Sequence, residues 1–448
     1  MTNANERMYA IQSREDSEAR RLSYMLEHMA SNKAYIHARD AAGGDLDGAL
    51  LTRFRERFQW YRESWRALPR QAVEQKLTGE RFRDAKMPPL CVDIEVAAVC
   101  DLACPFCYRQ FVATPDKVMS DDLSFRLIDE AAELGVPSMK FNWRGEPLLY
   151  PRLAELIAYA KKRGILETII NTNATCLTEE TASALIDAGL DLIIYSFDGG
   201  SKESYERMRP GRFKDNHFDE VYGNIRRFAA IRAAKGAAFP RTKIQMILTD
   251  ETFAERERFY ALFDDYVDDV SVKQYTERGG KLSELDVATQ QRLQQALAGR
   301  NLAPDTPFFR DKDGKLFVAA GRLPCEQPYQ RLLVTYDGRA GMCCYDWGAQ
   351  HPVGYADQLA IDLGESEYSR IVERAKSGGK GFIQLKAVDM PRRYNTPAPV
   401  VHSLSEIWTG PEIDAVRTAH VEGRGGDIAI CKACPFKETY RWEAIEHE

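Results

Sequence analysis

The stretch that decides the fold is Cys100-Asp-Leu-Ala-Cys104-Pro-Phe-Cys107, which follows a β-prone run from Cys91 to Val96. Three thiolates this close together on one loop suit an iron–sulfur cluster. A [4Fe–4S] cluster has four irons, so three cysteines leave one iron open to a small molecule. No histidine lies near to complete a structural zinc site, although a catalytic zinc with an open position also fits three ligands. The loop therefore predicts cluster or metal chemistry at the end of a strand.

On both sides of this loop the chain alternates short β-prone runs with helical runs, the pattern of a parallel sheet built from βα units. Six repeats are fewer than the eight of a full TIM barrel. We therefore expect an α/β fold with a partial (β/α)6 TIM-like barrel. The strands are expected near 91–96, 140–143, 167–171, 192–197, 243–248 and 270–275, and the helices near 120–134, 151–163, 178–188, 219–234 and 251–263.

Alternation along the strands predicts which side chains face the barrel interior. In the first strand Val92, Ile94 and Val96 are expected to face the helices. Polar side chains inside a packed barrel are costly without partners, so a polar interior indicates a substrate cavity, unless these residues lie at strand ends in water. The inward residues are Cys91, Asp93, Glu95, Asn142, Ser271, Lys273, Tyr275 and Arg278.

The cysteine loop resembles the Cys-x3-Cys-x2-Cys signature of the radical S-adenosylmethionine (SAM) superfamily, including the aromatic Phe106 before the last cysteine. The similarity continues at the ends of the next three strands. In this order, at the carboxyl ends of barrel strands, the matching strings are specific. They are Gly145-Glu146-Pro147-Leu148-Leu149, Asn171-Thr172-Asn173 and Ser196-Phe197-Asp198-Gly199, followed by Arg209 before Pro210-Gly211.

The resemblance implies that Cys100, Cys104 and Cys107 bind a [4Fe–4S] cluster whose open iron binds SAM. It also implies that Glu146 and nearby backbone hold the SAM amino group, and that Ser196 and Arg209 hold the carboxylate. A flavodoxin- or ferredoxin-type protein would supply the electron. The expected SAM-binding residues are Phe106, Gly145, Glu146, Pro147, Asn171, Asn173, Ser196, Asp198 and Arg209.

Arg144 departs from the family pattern, which has a glycine at that position. A side chain there restricts the backbone. The arginine could instead point into the cavity toward an anionic substrate. We therefore add Arg144 to the candidate catalytic residues, which are Glu95, Lys273, Tyr275, Arg144 and Cys91, the last as a hydrogen-atom donor to a substrate radical.

A second cysteine set comprises Cys325, Cys343, Cys431 and Cys434. It resembles the C-terminal SPASM/Twitch modules of radical SAM enzymes. The full SPASM pattern needs seven cysteines, and none follows Cys434, so the resemblance implies the Twitch form with one auxiliary [4Fe–4S] cluster. A four-cysteine zinc site is the alternative. Cys344 could replace Cys343 as a ligand. The spacing from Cys325 to Gly338 and from Gly338 to Cys343 favours Cys343.

These features divide the chain into four parts. We expect a helical N-terminal region over 1–86, the barrel over 87–284, and a connecting helix and linker over 285–320. A small α+β Twitch-like module would cover 321–448, with an insertion at about 356–402.

The composition limits which binding partners and which cellular location are expected. The 448 residues carry 61 Lys+Arg against 67 Asp+Glu, and the net charge of -6 disfavours nucleic-acid binding. No apolar run is long enough to span a membrane, and the polar N-terminus is not a secretory signal. We therefore expect a cytoplasmic protein with no membrane contact, in which the ten cysteines stay reduced.

Three functions remain open from the sequence. The first is a radical SAM enzyme acting on a small polar molecule (a sugar, aminocyclitol or nucleotide-sugar), with dehydrogenation expected before epimerisation or dehydration. The second is a peptide- or protein-modifying SPASM-type enzyme. The third is an electron carrier, which the SAM-binding strings disfavour because a carrier has no need of them.

Overall fold

The computed structural model of the chain describes residues 14–43, 47–107, 109, 114–248, 252, 254–274, 287–300, 302, 306, 308–310, 316–346, 349–363, 399–432, 434, 436 and 439–445. Tyr275, Arg278, the side chain of Lys273 and most of the expected insertion at 356–402 lie outside these residues.

Helices and strands alternate through the middle of the chain, as the sequence predicts. The helices are α1 Arg14–Glu27, α2 Lys33–Ala41, α3 Asp47–Glu74, α4 Gly79–Asp84, α5 Asp121–Glu133, α6 Leu153–Lys162, α7 Glu179–Ala188, α8 Lys202–Met208, α9 Phe218–Ala234, α10 Arg256–Phe263, α11 Val287–Gly299, α12 Leu404–Thr409, α13 Pro411–Val421 and α14 Ala429–Lys432. The strands are β1 Cys91–Ile94, β2 Ser138–Lys140, β3 Glu167–Thr172, β4 Leu192–Ser196, β5 Arg241–Leu248, β6 Asp269–Gln274, β7 Phe308–Arg310, β8 Leu316–Arg322, β9 Arg331–Val334, β10 Arg339–Gly341, β11 Pro352–Tyr355 and β12 Tyr440–Ala444.

The strands β1 to β6 pair in parallel and in chain order. Because β6 lies at an edge of its sheet, the barrel is open rather than closed. Helices α5, α6, α7, α9 and α10 connect successive strands, and polar caps start two of them: the side chains of Ser120 and Thr178 accept bonds from the Leu123 and Thr181 amides. The expected α/β fold with a partial (β/α)6 barrel is confirmed.

The apolar alternation in β1 agrees with the sequence. Val92, Ile94 and Val96 are buried in the main core, together with residues of the barrel helices. The expected strand near 140–143 is shifted, since β2 ends at Lys140. The chain stays near β3 after that point, because the Phe141 amide still donates to the Ile169 carbonyl at 2.9 Å.

The C-terminal hairpin extends the barrel sheet. β9 pairs in parallel with β1, with Cys91 opposite Arg331 and Ile94 opposite Val334. β10 and β11 then add antiparallel strands, so the full order is β11-β10-β9-β1-β2-β3-β4-β5-β6. The sequence does not predict this parallel pairing, which brings the second cysteine set next to the barrel. The expected domain boundaries stay a prediction.

A second, three-stranded sheet has the order β12-β8-β7. Its strands pair antiparallel, and β8 leads directly toward Cys325 while β12 follows Cys434. The sheet therefore joins the two ends of the segment that carries the second cysteine set.

The N-terminal helices pack against the amino-terminal end of the barrel. Aromatic residues of α3, such as Phe58 and Tyr61, share a buried cluster with Cys91 and Leu166 at the starts of β1 and β3. Polar contacts reinforce the packing, since Arg21 Nε donates to Glu167 Oε1 at 2.7 Å. Because parallel barrels place their chemistry at the carboxyl ends of the strands, these helices cover the end opposite the expected site.

Among the described residues, no helix combines the length and the apolar character that crossing a bilayer requires.

Candidate cluster and cofactor site

The loop that carries Cys100, Cys104 and Cys107 lies after β1 and is held by a distant segment. The Ala103 amide donates to the Pro210 carbonyl at 2.8 Å, and the Arg212 amide donates to the Asp101 carbonyl at 2.7 Å. Cys104 is buried, whereas Cys100 and Cys107 are partly exposed. The loop that follows α8 therefore holds the backbone of the loop that carries the three cysteines.

Asp101 links the cysteine loop to the end of β3, a role that the sequence analysis missed. Asn173 Nδ2 donates to Asp101 Oδ1 at 2.8 Å and also lies 3.9 Å from Cys100 Sγ. Thr175 Oγ1 donates to the second carboxylate oxygen at 2.6 Å. The only signal in the sequence is an acidic residue directly after the first cysteine, which alone would not identify it.

The backbone at Gly145, in the loop after β2, shows why glycine is needed at position 145 but not at position 144. Its φ is +68°, and a Cβ there would lie 2.4 Å from the Ala97 carbonyl oxygen and 2.5 Å from that of Val99. The next amide, that of Glu146, donates to Val99 at 2.8 Å. The close backbone approach therefore requires glycine at 145, whereas position 144 can carry a side chain.

The Glu146 carboxylate is buried where β2 and β3 end. Oε1 accepts bonds from Thr172 Oγ1 at 2.6 Å and from the Leu148 amide at 3.0 Å, and Oε2 accepts from the Asn173 amide at 2.7 Å. Burial raises the pKa of Glu146 to about 7, although these donors oppose the shift. Glu146 thus joins the Gly145–Leu149 string to the Asn171–Asn173 string, which the sequence predicts to share one site.

Arg144 and Glu95 form a buried ion pair. Arg144 Nε and Nη2 donate to the two Glu95 oxygens at 2.6 and 2.8 Å, and the guanidinium stacks on the Trp143 ring. The Tyr336 amide, just after β9, donates to Glu95 Oε2 at 3.2 Å. Arg144 is thus paired with Glu95, and the expected catalytic role of both residues stays a prediction.

Asp198 and Arg209 form a second buried ion pair, in which Arg209 Nε donates to Asp198 Oδ2 at 2.8 Å. The other carboxylate oxygen accepts from the Ile247 amide at 2.6 Å. The Arg209 guanidinium also lies 5.8 Å from the centre of the Phe106 ring, beside the cysteine loop. The structure thus brings three of the expected SAM contacts together; Ser196 ends β4, two residues before Asp198.

Asn171 carries an unsatisfied polar atom at this end of the barrel. Its amide donates to Asn142 Oδ1 at 2.7 Å, but its own buried Oδ1 has no hydrogen-bond partner among the described residues. A buried acceptor without a donor is unfavourable, so this atom indicates a position where a bound donor group fits.

Cys91 lies at the opposite end of the barrel, among the aromatic residues of the N-terminal helices. Burial raises the pKa of its thiol to about 12, and Asp93 adds to the shift. The expectation that Cys91 faces a substrate radical is therefore not supported by its position. Of the other candidate catalytic residues, Tyr275 and the Lys273 side chain lie outside the described residues.

The interior near β1, β2 and β9 is polar. Asp93 is paired with Arg331, whose Nη1 donates to Asp93 Oδ2 at 2.9 Å, and Lys140 lies opposite Asp93 on the neighbouring strand. The charges of Arg331, Asp93 and Lys140 all influence the pKa of the Cys344 thiol, which burial raises. Cys344 is thus close to these interior side chains.

The second cysteine set surrounds one cavity, called here the cysteine cavity. Cys325, Cys343, Cys431 and Cys434 all line it, together with His420, whereas Cys344 does not. Burial raises the pKa of the Cys431 thiol to about 12 and that of Cys325 and Cys343 well above the ordinary value. The cavity therefore favours Cys343 over Cys344 as the fourth member of the set.

His420 is a member of the cysteine cavity that no motif identifies. It lies on α13, eleven residues before Cys431 in the chain, and is 2% exposed. Burial, together with the nearby Arg322 charge, lowers its pKa to about 4. Only the packing of α13 against the Cys325 loop reveals this residue.

The match to known proteins covers most of the barrel. Residues 94–263 match the family model for the Radical SAM superfamily. This part of the chain is therefore a radical SAM domain. Members of this superfamily use a [4Fe–4S] cluster and SAM, and SPASM-type members carry auxiliary clusters.

Individual relatives are similar only in part. A "Tungsten-containing aldehyde ferredoxin oxidoreductase cofactor-modifying protein" of Pyrococcus furiosus is 33% identical over 108 residues, or 23% of this chain and 30% of that protein. A PqqA peptide cyclase of Gluconobacter oxydans is 29% identical over 176 residues, or 39% of this chain and 46% of that protein. Each alignment thus spans less than half of the relative's length.

Among solved structures, BtrN in complex with AdoMet and 2-DOIA aligns with a TM-score of 0.41 and 16% sequence identity. The alignment covers 78% of this chain and 94% of BtrN.

The residues present fit the superfamily's cofactors. Three thiols on one pinned loop leave one cluster iron open, and the orphaned Asn171 oxygen lies at the same end of the barrel. Among the described residues, no three His, Cys, Asp or Glu side chains converge closely enough to bind a single metal ion. A cubane cluster does not require such convergence, because each cysteine binds a different iron.

Proposed function

We propose that this radical SAM protein abstracts a hydrogen atom from a small polar substrate, such as a sugar, aminocyclitol or nucleotide-sugar, and oxidises it. When bound, the reduced cluster and SAM supply a 5′-deoxyadenosyl radical for this step. The chain's own residues orient SAM, hold the substrate and keep water away from the reacting atoms.

The observation that carries the proposal is the polar interior along β1, β2 and β9, beside the second cysteine set. The side chains of Asp93, Lys140 and Arg331 lie close to Cys344, directly after the cysteine that lines the cavity. Trp143 Nε1 also donates to the Cys344 carbonyl at 3.2 Å. Asp93 and Arg331 pair with each other, but the buried Arg331 Nε has no hydrogen-bond partner among the described residues, and an oxygen atom of a polar substrate would satisfy it.

We propose Cys100, Cys104 and Cys107 as ligands of the SAM cluster, with the SAM amino group near Glu146 and its carboxylate near Ser196 and Arg209. Support comes from the pinned loop and from the hydrogen bonds that join the Glu146 string to the end of β3. Phe106, Pro147 and Asn173 would complete the pocket, and a ribose hydroxyl or the adenine amino group of bound SAM would satisfy Asn171 Oδ1.

We further propose that the C-terminal part is a Twitch-type module with one auxiliary cluster bound by Cys325, Cys343, Cys431 and Cys434. Dehydrogenation requires the substrate radical to lose one electron and one proton after the hydrogen atom has left. An auxiliary cluster beside the substrate would accept the electron, and a flavodoxin- or ferredoxin-type donor would reduce the SAM cluster. Such reduced, oxygen-sensitive clusters suit the cytoplasmic location that the sequence predicts.

The test is anaerobic incubation of the reconstituted protein with SAM, a reductant and a panel of sugars and aminocyclitols. The proposal predicts that 5′-deoxyadenosine formation rises when the right substrate is present and that the product is a ketone. SAM cleavage at one constant rate, whatever the panel member, would contradict it. Iron and zinc analysis adds an independent check, because two [4Fe–4S] clusters contain about eight irons.

A peptide substrate is the second candidate, favoured by the similarity to PqqA peptide cyclase. In the structure one face of the N-terminal helices packs on the barrel end through Tyr61 and Arg21. A short precursor peptide encoded beside the gene, and modified by the protein in the same anaerobic assay, would favour this candidate over the first.

A further inference from the structure

His420 stands out within the cysteine cavity because its two ring nitrogens face two of the proposed cluster ligands. Nδ1 accepts a hydrogen bond from the backbone amide of Cys325 at 3.3 Å. Nε2 lies 3.5 Å from Cys431 Sγ. One imidazole thus bridges the two ends of the cysteine set, which are more than 100 residues apart in the chain.

The contact at Nδ1 determines which nitrogen carries a proton. A ring nitrogen that accepts a hydrogen bond has no proton, so in the neutral imidazole the proton is on Nε2. Nε2 is therefore the donor, and the sulfur of Cys431 is the acceptor.

The ring has little freedom to turn away from Cys431. The Cys325 amide holds it at Nδ1, and Gly425 packs against the same edge of the ring, at Nδ1 and Cε1. A Cβ at position 425 would lie 2.6 Å from Nδ1 and 2.7 Å from Cε1 of the imidazole. The absence of a side chain at 425 therefore allows the ring to occupy this orientation.

We propose that His420 is a positioning residue for the auxiliary cluster, donating a hydrogen bond from Nε2 to the Cys431 thiolate and thereby raising the reduction potential of the cluster. This inference rests on the proposed function, which assigns Cys431 to that cluster. Hydrogen bonds to cluster sulfurs stabilise the more negative, reduced state and so raise the potential. A higher potential makes the cluster a better acceptor for the electron of the substrate radical.

The experiment compares the reconstituted wild-type holoenzyme with His420→Phe and His420→Gln by redox titration monitored with electron paramagnetic resonance. Phe removes the donor while keeping a ring, and Gln keeps an N–H donor. Added SAM perturbs the signal of the SAM cluster and so distinguishes it from the auxiliary signal. The expected result is a lower midpoint potential of the auxiliary cluster in His420→Phe and recovery toward the wild-type value in His420→Gln.

A second pair of variants keeps the histidine itself. Gly425→Ala would clash with Nδ1 and Cε1 of the imidazole and so displace the ring from the orientation that holds Nε2 3.5 Å from Cys431 Sγ. Gly426→Ala is the matched control, since a Cβ at 426 meets nothing within 4 Å. Gly425→Ala should lower the potential and Gly426→Ala should leave it unchanged. Gly425→Ala and Gly426→Ala still test the proposal if His420→Phe fails to fold.

The outcomes separate this inference from the proposed function. Wild-type protein with about four irons and no auxiliary signal would overturn both. With about eight irons in the wild type, an unchanged potential in His420→Phe and Gly425→Ala would overturn the inference alone. Loss of about four irons in His420→Phe would also overturn it, because the histidine would then be an iron ligand rather than a hydrogen-bond donor.

Discussion

Arg144 donates two hydrogen bonds to Glu95, at 2.6 and 2.8 Å, in a pair whose side chains are 6% and 0% exposed. The pair joins the loop after β2 to the end of β1. Since Glu95 also accepts the Tyr336 amide, it further joins both to the C-terminal hairpin. The residue that departs from the family's glycine pattern thus stabilises the junction between the two cysteine-bearing parts of the chain.

Arg144→Met should destabilise the protein, because it leaves the buried Glu95 carboxylate without its cation. Removing one partner of a buried pair costs about 3–5 kcal/mol. The double variant Glu95→Leu with Arg144→Met should recover part of this loss, since no unpaired charge remains. Denaturant unfolding measures both variants. Lys202→Met, which removes the exposed ion pair with Asp219, is the control with little expected change. An equal decrease in the free energy of unfolding in the single and double variants would contradict the electrostatic explanation.

Gly145→Ala should abolish SAM cleavage and lower the free energy of unfolding. The substitution combines a positive φ with a Cβ only 2.4 Å from a backbone oxygen, so the loop after β1 must move. Gly135→Ala is the matched control, because its φ is +76° but a Cβ there meets nothing within 4 Å. Gly135→Ala should lower the free energy of unfolding by only about 1–2 kcal/mol and should retain SAM cleavage. Equal effects in the two variants would show that backbone strain, not the close approach, matters.

Cys343→Ala should remove the auxiliary cluster, whereas Cys344→Ala should keep it. Cys343 lines the cysteine cavity, and Cys344 does not. Anaerobic iron quantitation should therefore give about four irons in the first variant and about eight in the second. The opposite pattern would assign the ligand to Cys344.

The stability that Glu167 contributes should disappear in acid. Burial would raise its pKa, but the Arg21 and Arg62 guanidiniums hold the pKa of Glu167 below its ordinary value. A group with a lowered folded-state pKa stabilises the protein above its unfolded-state pKa, and this contribution is lost as the pH falls through the folded-state value. The difference in unfolding free energy between wild type and Glu167→Gln should thus be largest near neutral pH and shrink below about pH 4.

The check for this prediction is chemical denaturation at a series of pH values, with the exposed Glu133→Gln as the control. The control should show the same difference from wild type at every pH. A constant difference for Glu167→Gln as well would mean that its carboxylate is not preferentially charged in the folded state.

The barrel was predictable because local patterns specify it. Val92, Ile94 and Val96 alternate with polar residues, and Ser120 and Thr178 start helices by capping them. The parallel pairing of β9 with β1 was not predictable, since it joins residues about 240 positions apart whose sequences contain no signal for each other. The packing of Tyr61 against the start of β3 was missed for the same reason.

The candidate site was also predictable only in part. The spacing of Cys100, Cys104 and Cys107 reveals their role because ligands on one loop must be close in sequence. Asp101 and His420 were missed because their contacts, with Asn173 and Cys431, form only when separate elements pack together.

By itself the sequence determined the resemblance to radical SAM enzymes, the parallel barrel and the two cysteine sets, because each is encoded by residue types at short spacing. Only the tertiary structure decided how the remaining charges are used: Arg144 pairs with Glu95, Arg209 pairs with Asp198, and Cys91 is covered by the N-terminal helices. The physical reason is that a buried charge takes whichever partner the packing of distant elements brings within reach, and that partner cannot be read from its own neighbours in the chain.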